Sequence, residues 1–258
     1  MAKILIGPAG TGGSSVENFS KIKRLGMDAV EIEFTYGVWM TKEEAIKIHE
    51  LNKKIGLVLS IHAPYFINLN SAEKIKVGAS RSRILKCCEI GNYLGVKYVV
   101  FHAGFYQKTS KEQTYQNIKN QIIKLKEEID ENKWNIILAP ETTGKESQFG
   151  DLDELIRLKK ETGCHICVDF AHLKARYAGK IDYDDVMKKI RPLGHITAHF
   201  SGIEWTEKGE RRHLITEEKD IKELFNYLKK YNIDCTIINE SPDPFGDAVK
   251  MKEVLKKL

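Results

Sequence analysis

The sequence predicts a single domain, residues 1–258, folded as an α/β barrel of the (β/α)8 TIM type. Three observations predict it. Eight short apolar runs alternate along the chain with eight helical patterns, with no segment left over. Six consecutive runs end in a histidine or a carboxylate: LVLSIH at His62, YVVFH at His102, NIILAPE at Glu141, CHICVD at Asp169, HITAH at His199 and CTIINE at Glu240. The length of 258 residues fits one barrel. Two smaller domains would fit it too, but no Pro/Gly/Ser-rich stretch divides the chain. A doubly wound open sheet would also alternate strand and helix; the count of eight and the run of polar strand ends favour closure.

Strands are expected at 3–6, 28–34, 57–62, 98–102, 135–141, 164–169, 195–200 and 234–240. Helices are expected at 15–25, 42–54, 73–95, 111–130, 151–161, 182–190, 217–230 and 245–257. The helices carry the 3.6-residue period, as in Ile118, Ile122, Leu125 and Ile129. Thr41, Ser110, Asp182 and Thr216 stand where N-caps are needed. The pairs Lys53-Lys54, Lys159-Lys160, Lys188-Lys189, Lys229-Lys230 and Lys256-Lys257 fall in last turns, where cations complement the helix dipole. Counting back by two from the strand-end residues gives Ser60 and Val58, Val100 and Tyr98, Ala139 and Ile137, Ile238 and Thr236. These are mostly small or apolar, as a barrel interior requires. His165 and His195 share that inward parity near the opposite end and read as structural. His49 reads as a surface residue of a helix.

Composition is that of a globular protein, 42% hydrophobic and 30% charged. The start MAKILIGPAG has no signal-peptide core, and no apolar run is long enough to span a membrane. The five cysteines are odd in number and scattered, so a reduced, cytoplasmic protein is expected. Cys164 and Cys167 are three apart on a strand and face opposite sides, which argues against a redox or zinc motif. The net charge of +5 is mild. Its placement is more informative: Lys108, Lys111, Lys174, Arg176, Lys180, Lys208, Arg211 and Arg212 lie in loops after the polar strand ends. Cations around the mouth of a site imply a polyanionic substrate.

In a barrel of parallel strands all C-terminal ends open on one face, so the six groups converge on a volume on the order of 10 Å across. Imidazoles mixed with carboxylates suit Zn2+, with Mn2+ and Fe2+ as alternatives. Six groups exceed the needs of one ion; two ions about 3.5–4 Å apart, bridged by a carboxylate, would use them. Asp169-Phe170-Ala171-His172 adds His172, and Glu210-Arg211-Arg212-His213 adds Glu210 and His213. Glu31 and Glu33 alternate on the second strand; one is expected to face the barrel and pair with a cation, neither to be catalytic. Tyr65 and Phe66 follow His62 in a loop, placed either to insert against a nucleic-acid base or sugar or to cap the core. The loop Gly7–Gly13 lacks the spacing of a phosphate-binding motif and permits a tight turn near the substrate.

These segments resemble the endonuclease IV family of abasic-site DNA repair enzymes, one of the xylose-isomerase-like barrels, over nearly the whole chain. His62-Ala63-Pro64-Tyr65-Phe66-Ile67-Asn68-Leu69 looks like the family's third-strand segment with its DNA-probing aromatic–apolar pair. Phe101-His102-Ala103-Gly104, Glu141-Thr142-Thr143-Gly144, Val168-Asp169-Phe170-Ala171-His172, His199-Phe200-Ser201-Gly202 and Asn239-Glu240-Ser241-Pro242 look like its later ones. The resemblance implies a trinuclear zinc site. His62, His102 and Glu141 would hold one ion; Glu141, Asp169, His199 and Glu240 a second; His172 and His213 a third. It also implies hydrolysis of the phosphodiester 5′ to an abasic site in double-stranded DNA, with Glu141 bridging and Glu240 positioning the attacking group. Tyr65, Phe66, Lys174, Arg176, Lys208, Arg211 and Arg212 would contact DNA. A monomer free of membranes is expected.

Two departures stand out. Arg211 occupies the place of the family's third-ion aspartate, with Glu210 one residue off. The loop Thr35-Tyr36-Gly37-Val38-Trp39-Met40 lacks the family's DNA-penetrating arginine, part of whose role Trp39 could take by stacking. The rival function is a sugar isomerase or epimerase, whose single ion Glu141, Asp169, His199 and Glu240 would satisfy. The extra His62, His102, His172 and His213 and the basic loops argue against it. A non-catalytic nucleic-acid-binding barrel is a third reading.

Overall fold

The structure, a computed structural model, describes residues 2–13 and 16–258. Among the described residues eight parallel strands form the barrel: β1 (Ile4–Pro8), β2 (Ala29–Glu33), β3 (Val58–His62), β4 (Tyr98–Phe101), β5 (Ile137–Pro140), β6 (Cys167–Asp169), β7 (Ile196–Phe200) and β10 (Cys235–Asn239). They pair in two arcs, β2-β3-β4-β5 and β1-β10-β7-β6. Parallel bridges Ala9–Glu31 and Glu141–Cys167 join the arcs and close the ring. At the first seam the β1 backbone runs so close to β2 that a Cβ on Gly7 would lie 2.0 Å from the Ala29 carbonyl oxygen. Only glycine fits there.

Helices α1 (Val16–Arg24), α2 (Lys42–Ile55), α3 (Lys74–Leu94), α4 (Lys111–Glu131), α5 (Leu152–Thr162), α7 (Tyr183–Ile190), α8 (Glu218–Lys230) and α9 (Pro244–Lys257) surround the strands. Position 15, included in the expected first helix, lies outside the described residues. The core forms where helix stripes such as Ile118, Ile122, Leu125 and Ile129 meet the outer strand faces. Inside the barrel Val100, Ala139 and Cys167 pack together with Tyr98. Tyr98 stacks on His165, ring centroids 4.4 Å apart, and His195 Nε2 pairs with Thr236 Oγ1 at 2.9 Å. Both histidines are therefore parts of the barrel's closed end. Cys164 packs in the outer core while Cys167 faces inward, and all five cysteines are free and buried.

Thr41 forms a capping box with Glu44, Ser110 accepts from the Gln113 amide, and Asp182 accepts from that of Asp185. Thr216 does not cap. Its amide donates to Asp247 Oδ2 and its hydroxyl accepts from Asn239 Nδ2, while α8 starts at Glu218. His49 is half-buried rather than on the surface, its Nδ1 3.0 Å from the Leu94 carbonyl oxygen.

The expectation that nothing is left over fails at two places. A helix, α6 (Phe170–Arg176), follows β6 directly, because Asp169 accepts from the His172 amide at 2.8 Å and the next seven residues hold no glycine or proline. An antiparallel hairpin of β8 (Gly202–Thr206) and β9 (Gly209–Leu214) follows β7. Its turn uses Gly209 at φ 92°. Among the described residues no helix is long and apolar enough to cross a membrane.

Candidate metal centre

Every polar strand end expected from the sequence lies on one face of the barrel. His62 and Asp169 are the last residues of β3 and β6, His199 is on β7, and His102, Glu141 and Glu240 directly follow β4, β5 and β10. Their donor atoms fall into groups whose members all lie within 4.8 Å of one another: His62, His102 and Glu141; Glu141, Asp169, His199 and Glu240; Asp169, His172 and His213. Glu141 is shared. Its Oε2 lies 3.1 Å from His62 Nε2 and 2.8 Å from His102 Nε2, and its Oε1 lies 2.9 Å from His199 Nδ1. A cavity of about 360 Å3 opens above, lined by His62, His102, His172, His213, Glu210 and Glu240.

The histidines are held from behind. His62 Nδ1 lies 2.8 Å from the Ala63 carbonyl oxygen, His172 Nδ1 2.9 Å from that of Thr142, and His213 Nδ1 2.7 Å from Ser201 Oγ. Each outer bond leaves Nε2 for the interior, which is how proteins orient metal-binding imidazoles.

The donors are crowded, and each shifts its neighbours' titration. Burial opposes charge on Glu141, but the imidazoles of His199 and His102 hold its carboxyl well below the usual range. Burial would push His62 down, yet its bond to Glu141 and the charges of Glu33 and Glu31 raise it to about 10. Against burial, Asp169, Glu141 and Glu210 raise His172 to about 9. Burial raises Glu33 to about 7 and, with neighbouring carboxylates, pushes Glu240 far up. Asp169 Oδ2 and Glu33 Oε1 are buried with no hydrogen-bond partner among the described residues. Orphaned carboxylate oxygens are costly, and a cation would satisfy them while displacing the trapped protons. The donor set therefore fits divalent metal, and its imidazole–carboxylate mixture suits Zn2+ or Mn2+.

The hairpin settles how Glu210 and His213 can act together. Residues three apart on a regular strand face opposite sides. Here Ile203 pairs with His213 and Glu204 with Arg212, but Trp205 pairs with Glu210, so Arg211 is an extra residue in a bulge. The bulge turns Glu210 and His213 to the same side, where both line the cavity. Glu210 Oε2 lies 3.5 Å from His172 Nε2. Gly144 makes room, since a Cβ there would lie 2.6 Å from the Glu210 Cβ.

The basic residues expected to contact DNA separate. Arg176 is buried, and its Nη1 donates to the carbonyl oxygens of Thr143, Lys145 and Gln148. It braces the loop after β5 and cannot reach a substrate. Lys174 turns outward to Asp220 Oδ1 on α8, 3.3 Å away. Arg211 and Arg212 both pair with Glu204 at 2.6 Å on the hairpin's outer side, away from the cavity. Lys208 is exposed at the hairpin turn. Tyr65 and Phe66 are 57% and 60% exposed, so they do not cap the core. Tyr65 borders a second cavity edge with Phe66, whose ring lies 6.5 Å from that of Tyr36. Trp39 is half-exposed and anchored, its Nε1 donating to the Glu33 carbonyl oxygen at 3.0 Å.

Sequence reasoning undervalued β2. Both Glu31 and Glu33 face inward, and with Glu240 they form a further group of converging carboxylates. Their spacing of two on a strand was the signal, since it puts both on one face.

The xylose isomerase-like TIM barrel family matches residues 19–258. An uncharacterized protein of Methanocaldococcus jannaschii is 37% identical, over 99% of this chain and 98% of its own. A probable endonuclease 4 of Mesomycoplasma hyopneumoniae is 34% identical over 51% of this chain, which spans 47% of that relative's length. Among solved structures, endonuclease IV from Thermus thermophilus superposes with a TM-score of 0.75 at 19% identity, covering 99% of this chain and 100% of that one. A D-tagatose 3-epimerase-like protein does so with 0.73 at 21%, covering 99% and 96%. The two superpositions bear on the fold alone, and the family match carries the classification: this chain belongs to the xylose isomerase-like TIM barrels.

Proposed function

We propose that this protein is a metal-dependent DNA repair endonuclease of the endonuclease IV kind, hydrolysing the phosphodiester 5′ to an abasic site with two or three Zn2+ ions. The carrying observation is the third donor group. Asp169, His172 and His213 converge beside Glu210, next to a four-donor set that would already serve one ion. A sugar isomerase has no use for it.

Bound at these groups, the ions supply positive charge opposite the phosphate oxygens and acidify the attacking water. The chain does the rest. Glu141 spans the first two groups and fixes their separation. Glu240, at the cavity wall beside His199, orients the attacking group. The mouth carries Glu33, Glu210 and Glu240 beside His62, His102, His172 and His213, and bound cations would make it attractive to a phosphodiester. Tyr65 and Phe66, exposed at the rim, fill the gap that a missing base leaves in a duplex.

A second reading has its own observation. Glu141, Asp169, His199 and Glu240 form a complete four-donor site, and the epimerase-like barrel superposes nearly as well as the nuclease. One assay separates the two. A duplex with a single abasic site should be nicked once, on the 5′ side, in Zn2+ or Mn2+, and a chelator should stop it. Intact duplex in Zn2+, Mn2+ and Co2+, with turnover of a ketose or aldose, would establish the isomerase instead.

A further inference from the structure

His199 engages the centre through Nδ1, which lies 2.9 Å from Glu141 Oε1 and 3.1 Å from Glu240 Oε1. Its other nitrogen then points out of the cluster into the barrel, where an unpaired ring N–H would be costly. Glu31 stands at that point, its Oε1 2.8 Å from His199 Nε2. Both residues are wholly buried, and neither atom makes an aligned hydrogen bond among the described residues, so their 2.8 Å approach is a charge contact between two otherwise unsatisfied atoms. Ser60 Oγ donates to the second Glu31 oxygen at 2.6 Å. Glu31 and Ser60 are register partners of β2 and β3, so the sheet itself sets this pair.

We propose that Glu31 is a positioning residue, which holds the ring of His199 with its proton on Nε2 and presents Nδ1 to the cation. The inference rests on the cation-binding part of the proposed function. His62 and His172 are held by backbone carbonyls and His213 by a hydroxyl. His199 differs from them in that the carboxylate behind it, Glu31, comes from outside the three main donor groups, whereas the carboxylates nearest His172 Nδ1, Asp169 and Glu141, belong to those groups. A carboxylate behind an imidazole fixes its tautomer and makes it a stronger ligand. Glu31 does not line the cavity, so it acts through His199 and not on the substrate.

The test uses the full chain with Zn2+ as the probe. Affinity is measured by chelator competition, and the state of the His199 ring by correlation spectra of its nitrogens. Glu31→Gln keeps volume and an acceptor oxygen but removes the charge. It should weaken one Zn2+ equivalent by about 10–100-fold, the usual effect of losing an outer partner, and shift the His199 nitrogens, with circular dichroism unchanged. Glu31→Asp should recover part of the affinity. Ser60→Ala, a milder change, should weaken binding in the same direction by less. Unchanged affinity and unchanged His199 nitrogens in Glu31→Gln would overturn the proposal. So would complete loss of one equivalent with the His199 nitrogens unmoved, which would make Glu31 a ligand. Neither readout involves DNA: a protein that shows these effects yet leaves abasic duplex intact refutes the nuclease reading alone.

Discussion

Glu141 joins His62 and His102 on one oxygen and His199 on the other, at 2.8–3.1 Å. An amide can offer one acceptor but not two anionic ones. Glu141→Gln should therefore cut abasic-site cleavage by roughly 100-fold or more, the scale of losing one electrostatic contact to a transition state. A near-normal kcat in a single-turnover assay would remove Glu141 from the reaction. Arg176 makes the opposite case, a charged residue whose role is structural. Its Nη1 serves backbone carbonyls of Thr143, Lys145 and Gln148, so Arg176→Met leaves buried acceptors unpaired. Urea unfolding should show a loss of roughly 1–3 kcal/mol. A variant of unchanged stability but weakened DNA binding would return Arg176 to the substrate surface.

At the scale of elements, the barrel strands were legible because an apolar run ending in a polar residue is a pattern that burial itself imposes. Parity along each strand also placed Tyr98, Val100 and Ala139 inside. The hairpin was not legible. Its strands are charged, face solvent on one side, and diverge from strict alternation at the Arg211 bulge; only Gly209 marked its turn. Helix α6 was hidden for another reason: Asp169 was read as a strand end, though it also caps the helix that carries His172. The cations Lys174 and Arg176 misled because they read as loop residues, whereas they lie on α6, which turns Lys174 to Asp220 and buries Arg176. The closed end of the barrel yields a pH prediction. Burial, with the nearby cations Lys159, His195 and Lys97, lowers His165 from 6.5 to about 3. The folded state thus binds fewer protons than the unfolded chain between those values. The stabilising effect of neutral His165 is complete above pH 6.5 and is lost as pH falls toward 3. His165→Gln should flatten the fall in Tm across that interval; an identical Tm–pH slope would show that His165 does not titrate there.

For the whole molecule, the cations in loops after the polar strand ends that are exposed and in no ion pair among the described residues are Lys108, Lys180 and Lys208. Arg211 and Arg212 are tied to Glu204, while Lys208 extends from the hairpin tip. DNA binding should weaken as salt rises, and Lys208→Ala should reduce the slope of log K against log salt by about 1. An unchanged slope would place the DNA path elsewhere on the barrel face. In the proposed multinuclear centre the barrel supplies most donors, and the bulge at Arg211 brings Glu210 to the third ion. Anomalous diffraction at the zinc edge, from crystals grown in Zn2+, tests that centre most directly. Separate peaks are expected beside His62 and His102, between Asp169 and Glu240, and among His172, Glu210 and His213. A single peak held by Glu141, Asp169, His199 and Glu240, with nothing between His172 and His213, would contradict it and leave a mononuclear isomerase-type site.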